Sequence, residues 1–99
     1  MNVNFAFRGF EEHSKTLKDY TEKRLQKVEK LLDMNTVVDV VFTKDKHEKV
    51  TEIIVNHNGE DFVAKNVHSE FDASIDFCVD KIHRQIVKSK EKKVHQRRG

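Results

Sequence analysis

Apolar side chains recur at every second position, then at every third or fourth, then at every second through three successive runs, and finally at every third or fourth again. A period of two marks one face of a strand and a period near 3.6 marks one face of a helix, so the order of elements is βαβββα. Val3, Phe5 and Phe7 alternate with Asn4 and Ala6 between Asn2 and Arg8, and Gly9 then releases the chain. Leu17, Thr21, Leu25, Val28 and Leu32 form one stripe of a helix expected to start near Ser14 or Lys15. Ser14 is its expected N-cap, and Asp33, Met34 and Asn35 end it after Leu32. Thr36 to Thr43 is a β-branched strand, with Val38, Val40 and Phe42 toward the helices and Val37, Asp39 and Val41 on the other face. Lys44 to Lys49 reads as a charged connection. Val50 to His57 and Asp61 to Val67 are two strands joined by Asn58-Gly59, a pair that tolerates positive φ in a hairpin turn. Ser69 is the expected N-cap of a long second helix whose seam is Phe71, Ile75, Cys78, Ile82 and Ile86, with Val79 beside it.

A strand, a helix and a further strand favour a right-handed crossover between parallel strands, to which the hairpin adds antiparallel ones. The expected fold class is therefore α+β: a two-layer sandwich of a four-stranded mixed sheet with both helices on one face, which lets two single-striped helices bury their seams in 99 residues. One domain over residues 1–94 and a short basic tail over residues 95–99 account for the chain. Met1 to Arg8 lacks the leader pattern of a signal peptide, and no run approaches the roughly 20 apolar residues of a membrane span, so a soluble, cytoplasmic protein without a membrane partner is expected. Cys78 lies on the apolar seam, where it reads as a small buried hydrophobe.

Charge is distributed unevenly along this framework. Residues 1–80 carry 11 Lys or Arg against 16 Asp or Glu, whereas residues 81–99 carry 8 against Glu91 alone. On the second helix, Lys81, Arg84, Lys88 and Lys92 share a stripe beside the seam, while Asp72, Asp76 and Asp80 lie mainly toward the opposite side. Acids early and bases late also complement the helix dipole, which is the purely structural explanation. It does not require so many lysines on one face. On the first helix, Lys23, Lys27 and Lys30 line the solvent side and Arg24 flanks the seam. Two such helices side by side present cations across a groove, an arrangement suited to phosphates of folded RNA. Arg24 and Arg84 are the principal candidates because a guanidinium holds a phosphate through two hydrogen bonds. Lys27, Lys81 and Lys88 support them, and Arg97 and Arg98 form a less specific basic tail.

Catalysis finds little support in these residues. Asp72, Asp76 and Asp80 follow the regular spacing of solvated helix charges, and no motif supplies the pocket that a general acid or base needs. Three glycines leave no phosphate-cradling loop. His57 and His68 could approach each other on neighbouring strands, but His13, His47, His83 and His95 are scattered and no cysteine cluster accompanies them, so neither metal nor cofactor is expected. Tyr20 borders the first seam, with its hydroxyl expected at the rim. A stacking platform for single-stranded RNA would need an aromatic ring facing solvent, which periodicity alone does not supply.

Ser74-Ile75-Asp76, Asp80-Lys81-Ile82, Arg84-Gln85-Ile86 and the Lys88, Lys90, Lys92 ending resemble the ribosome hibernation promoting factor family, also known as ribosome-associated translation inhibitors, in its short form. Arg24-Leu25, Lys27-Val28-Glu29, Leu32-Asp33 and Asn58-Gly59 extend the resemblance over about residues 1–94, with Ser74 standing where the family pattern has alanine. The resemblance implies a fold similar to a double-stranded-RNA-binding domain and a place on the small ribosomal subunit, in the channel used by messenger and transfer RNA. Ribosomal proteins near that channel are further possible partners. It also implies silencing of idle ribosomes under stress, with short members favouring inactive ribosome pairs. Its RNA-binding residues map to Arg24 and Lys27 and to Lys81, Arg84, Lys88, Lys90 and Lys92. The short form lacks the dimerisation domain of the long form, and an isolated monomer is expected. Two other readings stay open: a non-ribosomal structured-RNA-binding protein, and a protein interaction module using Val37 and Val41.

Overall fold

The computed structural model describes the backbone of residues 1–98 and the side chains of residues 1–93. Its elements are β1 (Asn2–Arg8), α1 (Ser14–Glu29), β2 (Val37–Asp45), β3 (Glu48–His57), β4 (Glu60–His68) and α2 (Phe71–Arg98). The strands lie in sheet order β1-β2-β3-β4. β1 pairs with β2 in parallel, Phe5 opposite Val40, whereas β2/β3 and β3/β4 are antiparallel. The expected mixed sheet and element order are thus observed.

Alternation sorts the sheet into two faces. Val38, Val40, Phe42, Thr51, Ile53, Val55, Phe62 and Ala64 are buried toward the helices, where Leu17, Leu25 and Val28 of α1 meet Phe71, Ile75, Cys78, Val79, Ile82 and Ile86 of α2. Val3, Phe5 and Phe7 are only partly buried because β1 is an edge strand. Phe42 is fully buried and central to a ring cluster, its centroid 5.4 Å from Phe7 and 5.4 Å from Phe71. Three buried donors find local acceptors, Thr21 Oγ1 donating to Leu17 C=O at 2.7 Å, Ser74 Oγ to Asn66 C=O at 2.9 Å and Cys78 Sγ to Thr51 C=O at 3.4 Å, whereas Thr51 Oγ1 is buried without a hydrogen-bond partner. Burial pushes the Cys78 thiol up to about 12, so it stays protonated and packs as a hydrophobe.

Several boundaries differ from the sequence reading. His13, not Ser14, occupies the N-cap position of α1, in a left-handed conformation with φ 64° and no side-chain cap. Its carbonyl accepts from Leu17 N–H at 3.0 Å, so the first helical bond starts one residue earlier. α1 also stops at Glu29, because Leu31 and Leu32 donate to Val28 and Glu29 in the tighter i to i−3 pattern. Lys44 to Lys49 is not a connection: β2 and β3 continue to the Asp45–Glu48 pair and turn through Lys46 and His47, Lys46 taking φ 56°. Backbone pairing therefore outlasts the apolar pattern. The second hairpin turns at Asn58-Gly59 as expected, with φ 53° and 78°. α2 begins at Phe71, Ser74 N–H donating to Glu70 C=O, one residue beyond the position that Ser69 would cap.

Candidate nucleic-acid interface

α2 packs its seam on β3 and β4, and α1 leans against its flank, so side chains between the two helices meet at short range. Lys27 Nζ donates to Asp80 Oδ1 at 2.6 Å. Arg24 Nε lies 2.9 Å from Asp76 Oδ1, an ion pair set off the N–H axis rather than a directed hydrogen bond. Tyr20 OH donates to the same Asp76 oxygen at 2.8 Å, which places its hydroxyl at the rim as expected. This hydrogen bond, then desolvation and the Asp76 charge, raise the Tyr20 pKa. The hydrogen bond from Lys27 holds Asp80 below its ordinary range, with help from the Lys27, Arg24 and Arg84 charges. Any stability that Asp80 derives from this pairing is present above the ordinary carboxylate pKa and lost as pH falls through the depressed value.

The interhelix groove is therefore a row of acid–base pairs and not the cationic trough that side-by-side basic faces suggested. Asp76 and Asp80 point along α2 toward α1 and occupy two of the candidate cations, Arg24 and Lys27. Lys23 on α1 and Lys30 at its C-cap remain exposed.

The second half of α2 is different. Lys81, Arg84, Lys88, Lys90 and Lys92 are all exposed. None of them forms a salt bridge among the described residues, whereas Lys93 reaches Glu60 at 3.3 Å. Ser89 Oγ bonds Glu60 Oε1 at 2.9 Å and Gln85 Nε2 bonds Val63 C=O at 3.0 Å, so the β4 side of α2 is fastened to the sheet. Lys88 and Lys92 border the β4-side hollow beside Glu60, Asp61, Gln85 and Ser89, and the exposed stripe runs from them through Lys81 to Arg84, which stands near the Lys27–Asp80 pair. From Lys81 to Lys92 the stripe runs about 16 Å at 1.5 Å per residue. Arg97 and Arg98 lie outside the described side chains, and so does the expected tail.

Phe77 was not among the sequence candidates. It projects from the same outer face and is 45% exposed. Its spacing of four residues from Lys81 and seven from Arg84 was the available signal.

Other candidates do not assemble. His57 pairs across the sheet with Glu60 and His68 with Lys49, at opposite ends of the β3/β4 ladder. His57 Nδ1 instead lies 2.7 Å from Thr36 Oγ1. Among the described residues, no group of three His, Cys, Asp or Glu could hold a metal ion. On the open sheet face Val37 is exposed and Val41 half-buried, but Asp39, Glu52 and Lys65 interrupt the apolar surface in register. No described helix is long and apolar enough to cross a membrane.

Residues 3–94 match the family described as Sigma 54 modulation protein / S30EA ribosomal protein. The chain is 34% identical over 83 residues to the ribosome hibernation promoting factor of Azotobacter vinelandii, covering 84% of this chain and 78% of that protein. It is also 34% identical over 92 residues to the protein of the same name from Pseudomonas putida, covering 93% and 89% respectively. In fold it is similar to a ribosomal subunit interface protein from Coxiella burnetii, with a TM-score of 0.78 at 20% identity over 92% of this chain and 99% of the other.

Proposed function

Because the chain belongs to the Sigma 54 modulation protein / S30EA ribosomal protein family, we propose that it is a ribosome hibernation factor that binds RNA of the small ribosomal subunit through the outer face of α2. It occupies the messenger and transfer RNA channel, blocks translation and promotes inactive ribosome pairing during stress or stationary phase. The observation that carries this reading is the sorting of charge on one helix. Asp76 and Asp80 are neutralised by α1, while Lys81, Arg84, Lys88, Lys90 and Lys92 stay exposed without ion pairs among the described residues. The stripe of Lys81, Arg84, Lys88 and Lys92 exchanges condensed counterions for phosphates, and Lys90 adds charge from another side of the helix. Relatives named for ribosome hibernation supply the biological setting.

The protein acts in the cytoplasm by occupancy and not by turning over a substrate. Its cysteine is buried and protonated, and Asp76 and Asp80 are engaged in ion pairs. Mixing the protein with separated small and large subunits and sedimenting each tests the reading: it should travel with small subunits, and paired ribosomes should rise when it is added to whole ribosomes. Sedimentation with large subunits alone would reject it.

The groove pairs supply a second expectation. Asp76→Asn with Asp80→Asn keeps the oxygen that Tyr20 uses but removes two negative charges and releases Arg24 and Lys27 from ion pairing. Small-subunit affinity should rise several-fold at low salt, and the salt dependence should steepen by about one to two units. Because exposed ion pairs each contribute about 0–1 kcal/mol, the stability loss should stay below about 2 kcal/mol. Binding titrations across a salt series, beside thermal melts, measure both.

A further inference from the structure

We propose that Phe77 is a stacking platform for one unpaired nucleobase of the small-subunit RNA, flanked by cations that hold the adjoining phosphates; this rests on the small-subunit reading above. Of the seven phenylalanines, Phe42, Phe62 and Phe71 are buried, and Phe5, Phe7 and Phe10 are partly buried against the core. Phe77 alone is exposed, at 45%, and takes part in none of the aromatic pairs of the core. Its ring stands on the side of α2 away from the seam of Ile75, Cys78 and Ile82, one turn before Lys81 and two before Arg84.

The ring borders a hollow of about 310 Å³ lined by Lys27, Phe77, Asp80, His83 and Arg84. The Lys27–Asp80 pair joins α1 to α2 there, so one wall is fixed by a contact between elements. Asp80 is held ionised by the cations around it, and an ionised carboxylate repels a phosphate from the hollow itself. A neutral, flat ring is compatible with that place, while Arg84 at its edge and Lys81 one turn beyond the ring attract the backbone. An aromatic face set among separated cations is the arrangement that recognises unstacked bases. A protein partner would need a broader apolar patch, which the neighbouring Ala73, Asp80, Lys81 and Arg84 do not provide.

The chain contains no tryptophan, so Phe77→Trp creates a single fluorescent reporter at the site. With purified small subunits as the probe, its emission should be quenched on binding, as an indole stacked on a base is. Phe77→Ala should bind about tenfold more weakly at every salt concentration with an unchanged salt slope, because stacking adds affinity without releasing counterions. Phe77→Tyr should bind like wild type. Alanine is the better helix former, so a circular dichroism melt should show the Phe77→Ala variant folded. Wild-type affinity in Phe77→Ala would overturn the inference, as would a blue shift without quenching in Phe77→Trp, the sign of an apolar protein pocket. Failure of the wild type itself to bind small subunits would overturn the underlying reading and this inference with it.

Discussion

Replacing Arg84 and Lys88 together by alanine will weaken small-subunit binding by roughly 30- to 150-fold at low salt, taking about 1–1.5 kcal/mol for each charge-assisted contact. Both side chains are exposed on α2 and neither forms an ion pair among the described residues; the acids near them, Asp80 and Glu60, are already engaged by Lys27 and Lys93. Each lost phosphate contact lowers the salt slope by about one unit, and the deficit shrinks as salt rises. Arg84→Lys should fall between the two, since it keeps the charge and loses the planar fork. Removing Arg97 and Arg98 should have a weaker effect than the double substitution. Stability should stay within about 0.5 kcal/mol of wild type, as expected for exposed helix positions changed to the best helix former. Titration of small subunits at several salt concentrations, with melts of each variant, separates a lost contact from a lost fold.

The largest effect on stability is expected at Phe42. This ring is fully buried on β2, between the two neighbouring strands, and meets Phe5, Phe7 and Phe71 at centroid distances of 6.4, 5.4 and 5.4 Å. Phe42→Ala removes the shared partner of three rings contributed by β1 and α2. Collapse around the gap is limited, because Val40 and Ile53 are held in register by the ladders on both sides. A loss of about 3–5 kcal/mol follows for a truncation of this kind. A domain of this size has only about 5–15 kcal/mol in all, so the variant should be marginal at 37 °C. Urea unfolding should show a much lower midpoint at an unchanged m value. A loss below about 1 kcal/mol would mean that the aromatic cluster is not the packing centre.

The buried half of this architecture was legible because it repeats. Leu17, Thr21, Leu25 and Val28 on one helix, and Phe71, Ile75, Cys78, Val79, Ile82 and Ile86 on the other, announce their seams by spacing alone and are buried, whereas Leu32, expected to close the first stripe, lies beyond α1 and is half-buried. Element ends carried weaker signals. Ser14 and Ser69 have the right chemistry for caps, but each start is set by the path of the incoming chain: the left-handed His13 in one case and Glu70 in the other. The Lys46-His47 turn was hidden because its strands continue past their apolar residues on backbone pairing alone.

At the candidate interface the same limit applies to partners. Helical period separates Asp76 and Asp80 from the lysine stripe, yet it does not say on which flank of α2 the first helix will lie. Only the packing reveals that Arg24 and Lys27 form close ion pairs with these carboxylates, whereas Arg84 forms none among the described residues. Phe77 was legible in principle, since it shares a face with Lys81 and Arg84. Its ring draws notice only once the other six are seen to pack against the core.

The most direct measurement of whether the α2 face silences ribosomes is an in vitro translation titration with the wild type and the folded Arg84→Ala/Lys88→Ala variant. Wild type should stop synthesis near one protein per ribosome, and the variant should need at least tenfold more. Equal inhibition by the two proteins, or none by the wild type, would contradict a mechanism in which the exposed cations of α2 occupy the small subunit.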